Sequence, residues 1–357
     1  MEKLTEAGMD QAVKARHARF FLELAEEAAP QLMGERQAEL LDLLETEHDN
    51  LRAAIDGATR GGETEVALRL GAALWRFWQM RGHLREAASR LERILDLPGW
   101  EPYPRARADA LEAAGGVHYW MGIEWELVER YYTECLELRR AIGDPAGIAE
   151  ALYNLAFAFV IAFRPEREPA RGVELYGQAL ELFRRLGDTR GEAKALWGLA
   201  NAHLVQREWT ETHEVAESAL ELFRRLDDRF GQGWALYTMG MARVGLGDPD
   251  GAEEVLRRSL ELGSAVDDIS AIALVVSGVA MVSGIRGDAE RAARLWGAAT
   301  ALESRAGVGL IRNWDPWMPW QVASLLEALS QEELDRLLAE GAALRAEEAI
   351  ALALGDG

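Results

Sequence analysis

The stretch FGQGWALYTMGMAR at residues 230–243 repeats a pattern of small and apolar residues that the chain uses twice before, as AGIAEALYNLAFAF at 146–159 and RGEAKALWGLANAH at 190–203. Each copy is followed by a second apolar-periodic stretch that closes on Leu-Glu-Leu, and Leu180, Leu220 and Leu260 recur at an interval of 40 residues. A fixed period of this length is typical of a solenoid. The sequence therefore predicts an all-α solenoid of antiparallel helix pairs, which offers a long binding surface rather than an enclosed catalytic pocket.

Composition limits the function classes that the chain can serve. Its 357 residues are 49% hydrophobic and 28% charged, as in a soluble folded protein, and the formal net charge is −21. A surface this acidic repels a phosphate backbone, so we expect no direct nucleic-acid binding. The single cysteine, Cys135, excludes an internal disulfide, the N-terminus lacks a signal-peptide core, and no apolar run approaches the roughly 20 residues that span a bilayer. These features predict a cytoplasmic protein with no membrane partner.

Turn residues divide the chain into three predicted regions: N-terminal helices at 1–62, helix-pair repeats at 63–306, and a tryptophan-rich loop with capping helices at 307–357. In the first region, apolar spacing predicts one helix from Asp10 to Ala29 and a second from Glu35 to about Thr59.

The repeat array is expected to contain five regular pairs, which begin near Arg105, Ile148, Glu192, Gln232 and Ile272. Turns such as Gly247-Asp248 and Gly287-Asp288 supply a C-cap glycine followed by an N-cap aspartate.

The positions of apolar and small residues within one repeat resemble the tetratricopeptide repeat, in its right-handed superhelical arrangement of helix pairs. The residues that carry the resemblance best are Leu236, Met239, Gly240, Gly247 and Ala252. The period of 40 residues is longer than the usual one of about 34.

Stretches near the two ends resemble the tetratricopeptide sensor region of bacterial STAND-type signal-transduction ATPases and of LuxR- or SARP-like transcriptional regulators. They include RHARFFLELAEEAAPQL at 16–32, ALRLGAALWRFWQMRGHLREA at 67–87 and AARLWGAATALES at 292–304. The resemblance implies a separate or upstream NTPase module as partner, because the chain contains no GxxxxGK[ST] phosphate loop, and no basic recognition helix follows Leu354. The chain is thus expected to be a sensor region, either excised from a larger regulator or a truncated relative.

Catalytic and metal-binding signatures are missing from the sequence. The six histidines form no HxxxH pair, CxxC is absent, and Ser277-Gly278 lacks the flanking GxSxG elbow. We predict no metal site, no cofactor and no enzymatic activity, with an enzyme of unrecognised type as the remaining alternative.

The candidate binding residues lie on the first helices of the repeats, at the positions that face the inner groove of a helical-pair solenoid. They are Tyr119, Trp120, Tyr153, Phe157, Lys194, Trp197, Asn201, Trp234, Tyr237 and Met241. An aromatic inner surface favours ligand binding, with Lys194 and Asn201 as polar contacts. In the alternative interpretation, these aromatic side chains only pack on adjacent repeats or on the tryptophan-rich C-terminal loop.

The stretch WDPWMPW at 314–320 is a candidate lid, because two prolines fix an extended path while Trp314, Trp317 and Trp320 offer broad apolar faces. In the alternative interpretation, this stretch folds back onto the last repeat. The function predicted from these features is a non-enzymatic module that senses a protein or peptide partner, or a small-molecule inducer, in the aromatic groove. The alternative is a free-standing scaffold for protein or peptide binding.

Overall fold

The computed structural model describes residues 2–32, 34, 36–122, 124–160, 168–265, 269–306 and 327–355, with side chains from residue 12 onward. Most of the described residues are helical, the others lie in turns and short connections between helices, and none of them forms a β-strand. The predicted all-α fold of antiparallel helix pairs is therefore confirmed. Among the described helices, none combines the length and apolar character that a bilayer span requires.

The chain divides into two compact units. The first comprises Met1–Trp120 and Glu126–Ala151, and the second comprises Met121–Trp125 and Leu152–Gly357. The helices that begin in the first unit are α1 (Glu2–Ala28), α2 (Gln37–Thr46), α3 (His48–Gly61), α4 (Thr64–Met80), α5 (Leu84–Leu95), α6 (Pro104–Met121) and α8 (Pro145–Val160). Helix α7 (Trp125–Ala141) begins one residue before this unit resumes, and α8 continues into the second unit.

The described part of the second unit contains nine helices: the second helix of the repeat that begins with α8, three regular helix pairs and two closing helices. They are α9 (Pro169–Leu186), α10 (Thr189–Gln206), α11 (Trp209–Arg225), α12 (Arg229–Gly245), α13 (Pro249–Ser264), α14 (Ile269–Ile285), α15 (Ala289–Ala306), α16 (Gln331–Ala342) and α17 (Ala346–Leu354). The first helices α6, α8, α10, α12 and α14 begin within three residues of the starts predicted from the repeat pattern.

One predicted helix is wrong. The expected continuous helix from Glu35 to Thr59 is two helices, because Glu47 leaves helical geometry with φ −91° and ψ 6°. Apolar spacing could not reveal the break, since the buried side chains run in helical register across it, from Leu40 and Leu44 to Leu51 and Ile55. The break puts His48 at the start of a helix, where it meets residues from two other helices.

Aspartate caps set the starts of the first helices. Asp188 and Asp228 each accept a hydrogen bond from the backbone N–H three residues later, at 2.9 Å in both cases. The predicted N-cap aspartates of the Gly-Asp turns are confirmed as well. Asp248 caps α13 and Asp288 caps α15, and each accepts a backbone N–H hydrogen bond, at 2.9 and 3.1 Å respectively. A side-chain acceptor at this position satisfies an amide that lacks an intrahelical partner.

The core of the repeats pairs small residues of one helix with large residues of the next. Leu180, Leu220 and Leu260 are all buried, as the closing pattern predicts. Between α10 and α13, the shared cluster consists of Ala193, Ala200, Ala216, Ala219, Leu220, Phe223, Ala235, Leu236, Met239 and Val255. Alanine at the contact positions lets neighbouring backbones approach while leucine and phenylalanine fill the space between them.

The two closing helices pack against α15. A Cβ atom at Gly297 would overlap the backbone of Leu338, and one at Gly341 would overlap the backbone of Arg294. The guanidinium of Arg291 donates to the backbone oxygen of Ala353 at 3.0 Å, so it satisfies a carbonyl at the end of α17. Helices α16 and α17 are thereby fixed to the last repeat.

Candidate functional site

Eight of the ten predicted groove residues lie in the second unit, on consecutive first helices. Tyr153 and Phe157 lie on α8, whereas Lys194, Trp197 and Asn201 lie on α10. The other three, Trp234, Tyr237 and Met241, lie on α12. The equivalent positions of successive repeats thus supply one set of side chains.

Their aromatic rings form a continuous chain of edge-to-face and tilted contacts. The ring centroids are separated by 5.2 Å for Tyr153–Phe157, 5.7 Å for Phe157–Trp197, 5.8 Å for Trp197–Trp234 and 6.3 Å for Trp234–Tyr237. Such geometries are the favourable ones for aromatic pairs. We call these five residues the aromatic chain.

Tyr176 of α9 packs against the aromatic chain. Its ring is fully buried and lies 5.7 Å from Phe157 and 5.8 Å from Tyr153, measured between centroids. A Cβ atom at Gly198 would overlap this ring, so glycine at that position of α10 makes room for it. The sequence pattern did not single out Tyr176, because it lies on a second helix.

Burial separates the predicted groove residues into two groups. Of the eight in the second unit, five are less than 10% exposed, namely Tyr153, Phe157, Trp234, Tyr237 and Met241. Lys194, Trp197 and Asn201 are half-buried. Most of the aromatic area is therefore packed within the unit, and α10 provides the part that solvent can reach. We call Lys194, Trp197 and Asn201 the α10 strip.

Polar contacts fix the orientation of the α10 strip. The Lys194 ammonium lies 4.6 Å from the centroid of the Tyr153 ring, a cation–π contact. Asn201 Nδ2 donates to the backbone oxygen of Trp197 at 2.8 Å, and Trp197 Nε1 donates to Thr238 Oγ1 at 3.1 Å. Burial raises the pKa of the Tyr237 hydroxyl well above its ordinary value, so this phenol stays neutral.

The remaining predicted residues are not part of this set. Tyr119 and Trp120 lie in the first unit, where their rings make an edge-to-face contact at 5.9 Å. Trp314, Trp317 and Trp320, the candidate lid, lie outside the described residues.

A second cluster, which the sequence did not point to, lies in the first unit. Glu45, His48 and His83 each offer one ligand atom, and these atoms all lie within 4.8 Å of one another. Burial, followed by the charge of His83, lowers the pKa of His48. Burial alone would raise the pKa of the neighbouring Glu86, but hydrogen bonds from Arg52 and Arg90 lower it to about 2. A local sequence motif could not predict this cluster, because His83 is 38 residues from Glu45 and the two residues lie at the ends of different helices.

Comparison with known proteins matches part of the chain to a family model. Residues 192–264 match the family model of the tetratricopeptide repeat. This span runs from the first turn of α10 to the end of α13, which is two consecutive helix pairs. The predicted repeat type is thereby confirmed for these residues.

Two mycobacterial proteins share a segment with the chain. Over 158 residues, the chain is 30% identical to a "Putative HTH-type transcriptional regulator" of Mycobacterium tuberculosis and to its counterpart in Mycobacterium bovis. The segment makes up 43% of this chain and 18% of those proteins, so the chain matches less than a fifth of the length of these curated relatives.

Solved structures with a similar fold include two peptide- or factor-bound proteins. A Rap protein complexed with Competence and Sporulation Factor superposes with a TM-score of 0.59 at 16% identity, over 93% of this chain and 89% of that chain. NprR in complex with its cognate peptide NprX superposes with a TM-score of 0.54 at 16% identity, over 83% and 96%. At this identity, the likeness establishes the fold alone.

Proposed function

We propose that the chain is a ligand- or partner-sensing tetratricopeptide module of a bacterial regulatory system, and that it binds a peptide or protein segment at the α10 strip, which packs against the buried rings of the aromatic chain. Three findings support the proposal: the matched repeat model, the regulator-named relatives at 30% identity, and the fold shared with NprR in complex with its cognate peptide. The larger system includes the separate or upstream NTPase module that the sequence resemblance implies.

The observation that carries the proposal is the α10 strip, which packs against the buried rings of the aromatic chain. Lys194, Trp197 and Asn201 are spaced three and four residues apart, so they lie on one face of α10. The face combines a broad apolar surface, a cation and an amide that can donate and accept hydrogen bonds. An extended peptide presents the complementary groups, which are apolar side chains, carboxylates and backbone amides.

The side chains next to the α10 strip are already held in place, which favours binding of this kind. Trp234 and Tyr237 are buried beneath the strip, and the hydrogen bond from Trp197 to Thr238 holds the indole in place. A side chain that is already ordered loses little conformational entropy when it meets a ligand. The strip therefore needs little rearrangement to bind.

The alternative is a scaffold that uses the same face for a protein partner without an inducer. It differs from the sensor in its output, because a sensor ligand must prefer one conformational state over another. An NTPase domain encoded upstream in the same reading frame would favour the sensor.

The direct test is thermal unfolding of the purified full chain in the presence of pools of short peptides and pools of small metabolites, with active pools resolved to single compounds. Binding to the folded state at 100 times the dissociation constant adds about 2.7 kcal/mol to the unfolding free energy. We expect peptides to stabilise the chain, and Trp197→Ala and Asn201→Ala to remove the effect. The matched control is Trp296→Ala, a half-buried tryptophan on the second helix α15.

Two results would contradict the proposal. Stabilisation by metabolites but not by peptides would replace the peptide with a small-molecule inducer. Stabilisation that survives Trp197→Ala and Asn201→Ala as well as it survives Trp296→Ala would move the site away from the α10 strip. Unfolding of each variant without ligand shows beforehand that the variant is folded.

A further inference from the structure

Three helix ends meet in the first unit and bring two histidines and a glutamate together. Glu45 lies in the last turn of α2, His48 begins α3, and His83 immediately precedes α5. The imidazole rings of His48 and His83 have centroids 4.3 Å apart, and His83 Nε2 lies 3.0 Å from Glu45 Oε2. One ligand atom from each of the three lies within 4.8 Å of the other two.

His48 is the unusual member of this group. Its side chain is only 8% exposed, and its Nε2 atom makes no hydrogen bond. The Nε2 atom lies 3.6 Å from Glu86 Oε2, beyond hydrogen-bonding distance. A buried nitrogen without a hydrogen bond costs free energy, and such a group calls for an explanation such as a bound ion.

Glu86 does not compete as a ligand, because two arginines hold its carboxylate. Arg52 Nε donates to Glu86 Oε1 at 2.8 Å and Arg90 Nε donates to the same atom at 2.7 Å. The available donors are therefore two imidazoles and the carboxylate of Glu45. That combination suits zinc, whereas magnesium and calcium favour all-oxygen sites.

The cluster is open to solvent on one side. The side chain of Glu45 is 42% exposed and that of His83 is 24% exposed, so an ion has a path of entry past them. Bonds from zinc to nitrogen or oxygen are about 2.0–2.2 Å long, which places neighbouring tetrahedral ligands about 3.4 Å apart. The side chains of Glu45 and His83 are the more exposed ones, and their rotation can bring the ligand atoms from within 4.8 Å to about that separation.

We propose that Glu45, His48 and His83 bind one zinc ion, with water at the fourth position. The ion would join the end of α2 to the starts of α3 and α5, which are distant in sequence. It would give the buried His48 nitrogen a partner and would fix the break at Glu47 in place. The site lies in a different unit from the α10 strip, so it stands or falls independently of the proposed function.

The test uses the untagged full chain, stripped with a chelator and titrated with Zn²⁺ in a calorimeter. Titration with Co²⁺ adds a second readout, because its visible absorption reports tetrahedral coordination. We expect one equivalent to bind, and Glu45→Gln and His83→Ala each to weaken binding at least tenfold. Glu45→Gln changes an exposed side chain and keeps its shape, so the variant should fold even if substitutions at the buried His48 do not.

The matched control is His203→Ala in the second unit. His203 Nδ1 lies 2.6 Å from Glu208 Oε2, so this pair also combines an imidazole with a carboxylate, and it is not among the ligand atoms of the cluster. Binding that is lost in the two cluster variants and kept in the control would support the site. Absence of stoichiometric binding, or equal binding by the wild type and Glu45→Gln, would overturn it.

Discussion

Trp197 donates its indole Nε1–H to Thr238 Oγ1 across 3.1 Å, and this bond joins the first helices of two consecutive repeats. Thr238 is 1% exposed, and its hydroxyl donates in turn to the backbone oxygen of Trp234 at 3.1 Å. Thr238→Val keeps the shape of the side chain but removes the acceptor. We expect the free energy of unfolding, measured in urea, to fall by about 1–2 kcal/mol.

Thr212→Val is the control for that substitution. Thr212 is fully buried, and its hydroxyl donates at 2.8 Å to the backbone oxygen of Glu208, which also accepts the Thr212 backbone N–H. Valine there leaves the carbonyl with a hydrogen bond, so the loss should be smaller. Equal losses in the two variants would argue against a bond between helices that contributes to stability.

Glycine at the third position of α12 allows a phenylalanine to pack against the helix start. A Cβ atom at Gly231 would overlap the ring of Phe223, which is 3% exposed. We expect Gly231→Ala to lower the unfolding free energy by about 1–3 kcal/mol, because the ring has to move within a packed core.

Gly177→Ala should have the opposite effect. Gly177 is exposed in the interior of α9, and a Cβ atom there would meet nothing within 4 Å. Alanine restricts the unfolded chain and favours the helix, so we expect a gain of about 0.4–1 kcal/mol. The two variants together separate crowding at Gly231 from the general effect of glycine on a helix. Destabilisation of both by the same amount would refute that explanation.

Local signals account for what the sequence could predict. The caps of Asp248 and Asp288 and the positions of Leu220 and Leu260 depend on residues within one repeat, and the recurrence of the repeat strengthens the signal. The break at Glu47 left no such signal, because the apolar residues on both sides stay in register. Its consequence, the position of His48 at a helix start, was therefore hidden as well.

The candidate site illustrates the same limit. The repeat positions of Trp197, Trp234 and Tyr237 could be predicted, but their exposure could not, because it depends on side chains from other helices. Tyr176 of α9 packs against the aromatic chain, and its ring fits because Gly198 has no side chain. Contacts of this kind join residues that no single-repeat pattern relates.

Cys135 should be unreactive in the native protein. Its side chain is fully buried, and burial, with the charge of Glu112 adding, raises the pKa of the thiol to about 12. Since the thiolate is the nucleophile, a disulfide reagent at pH 8 should react only when the first unit opens. One equivalent should appear on addition of urea, and the signal is unambiguous because the chain has one cysteine. The exposed site Ser218→Cys provides the fast-reacting control; equal native rates for the two thiols would contradict the burial.

Asp144 should make the stability of the first unit depend on pH. It caps α8 through the backbone N–H of Gly147 at 3.1 Å and accepts hydrogen bonds from Arg139 at 3.0 Å and Arg105 at 2.9 Å. Burial alone would raise the pKa of Asp144, but the Gly147 amide and the two guanidinium groups lower it below its ordinary value. The folded state therefore binds the proton less readily than the unfolded state does. The stabilisation is complete above the unfolded pKa of about 3.9 and is lost as the pH falls through the folded pKa.

Asp144→Asn isolates this charge, because asparagine caps a helix about as well as aspartate. At pH 7, the buried Arg139 loses a charged acceptor, and we expect the unfolding free energy to fall by about 1.5–3 kcal/mol. The difference in unfolding free energy between the wild type and the variant should become smaller below about pH 4, since the wild-type carboxylate becomes protonated on unfolding. Urea unfolding at a series of pH values between 7 and 3 measures it. The exposed cap variant Asp188→Asn should differ little from wild type at pH 7, and a difference for Asp144→Asn that stays constant down to pH 3 would show that its charge does not stabilise the fold.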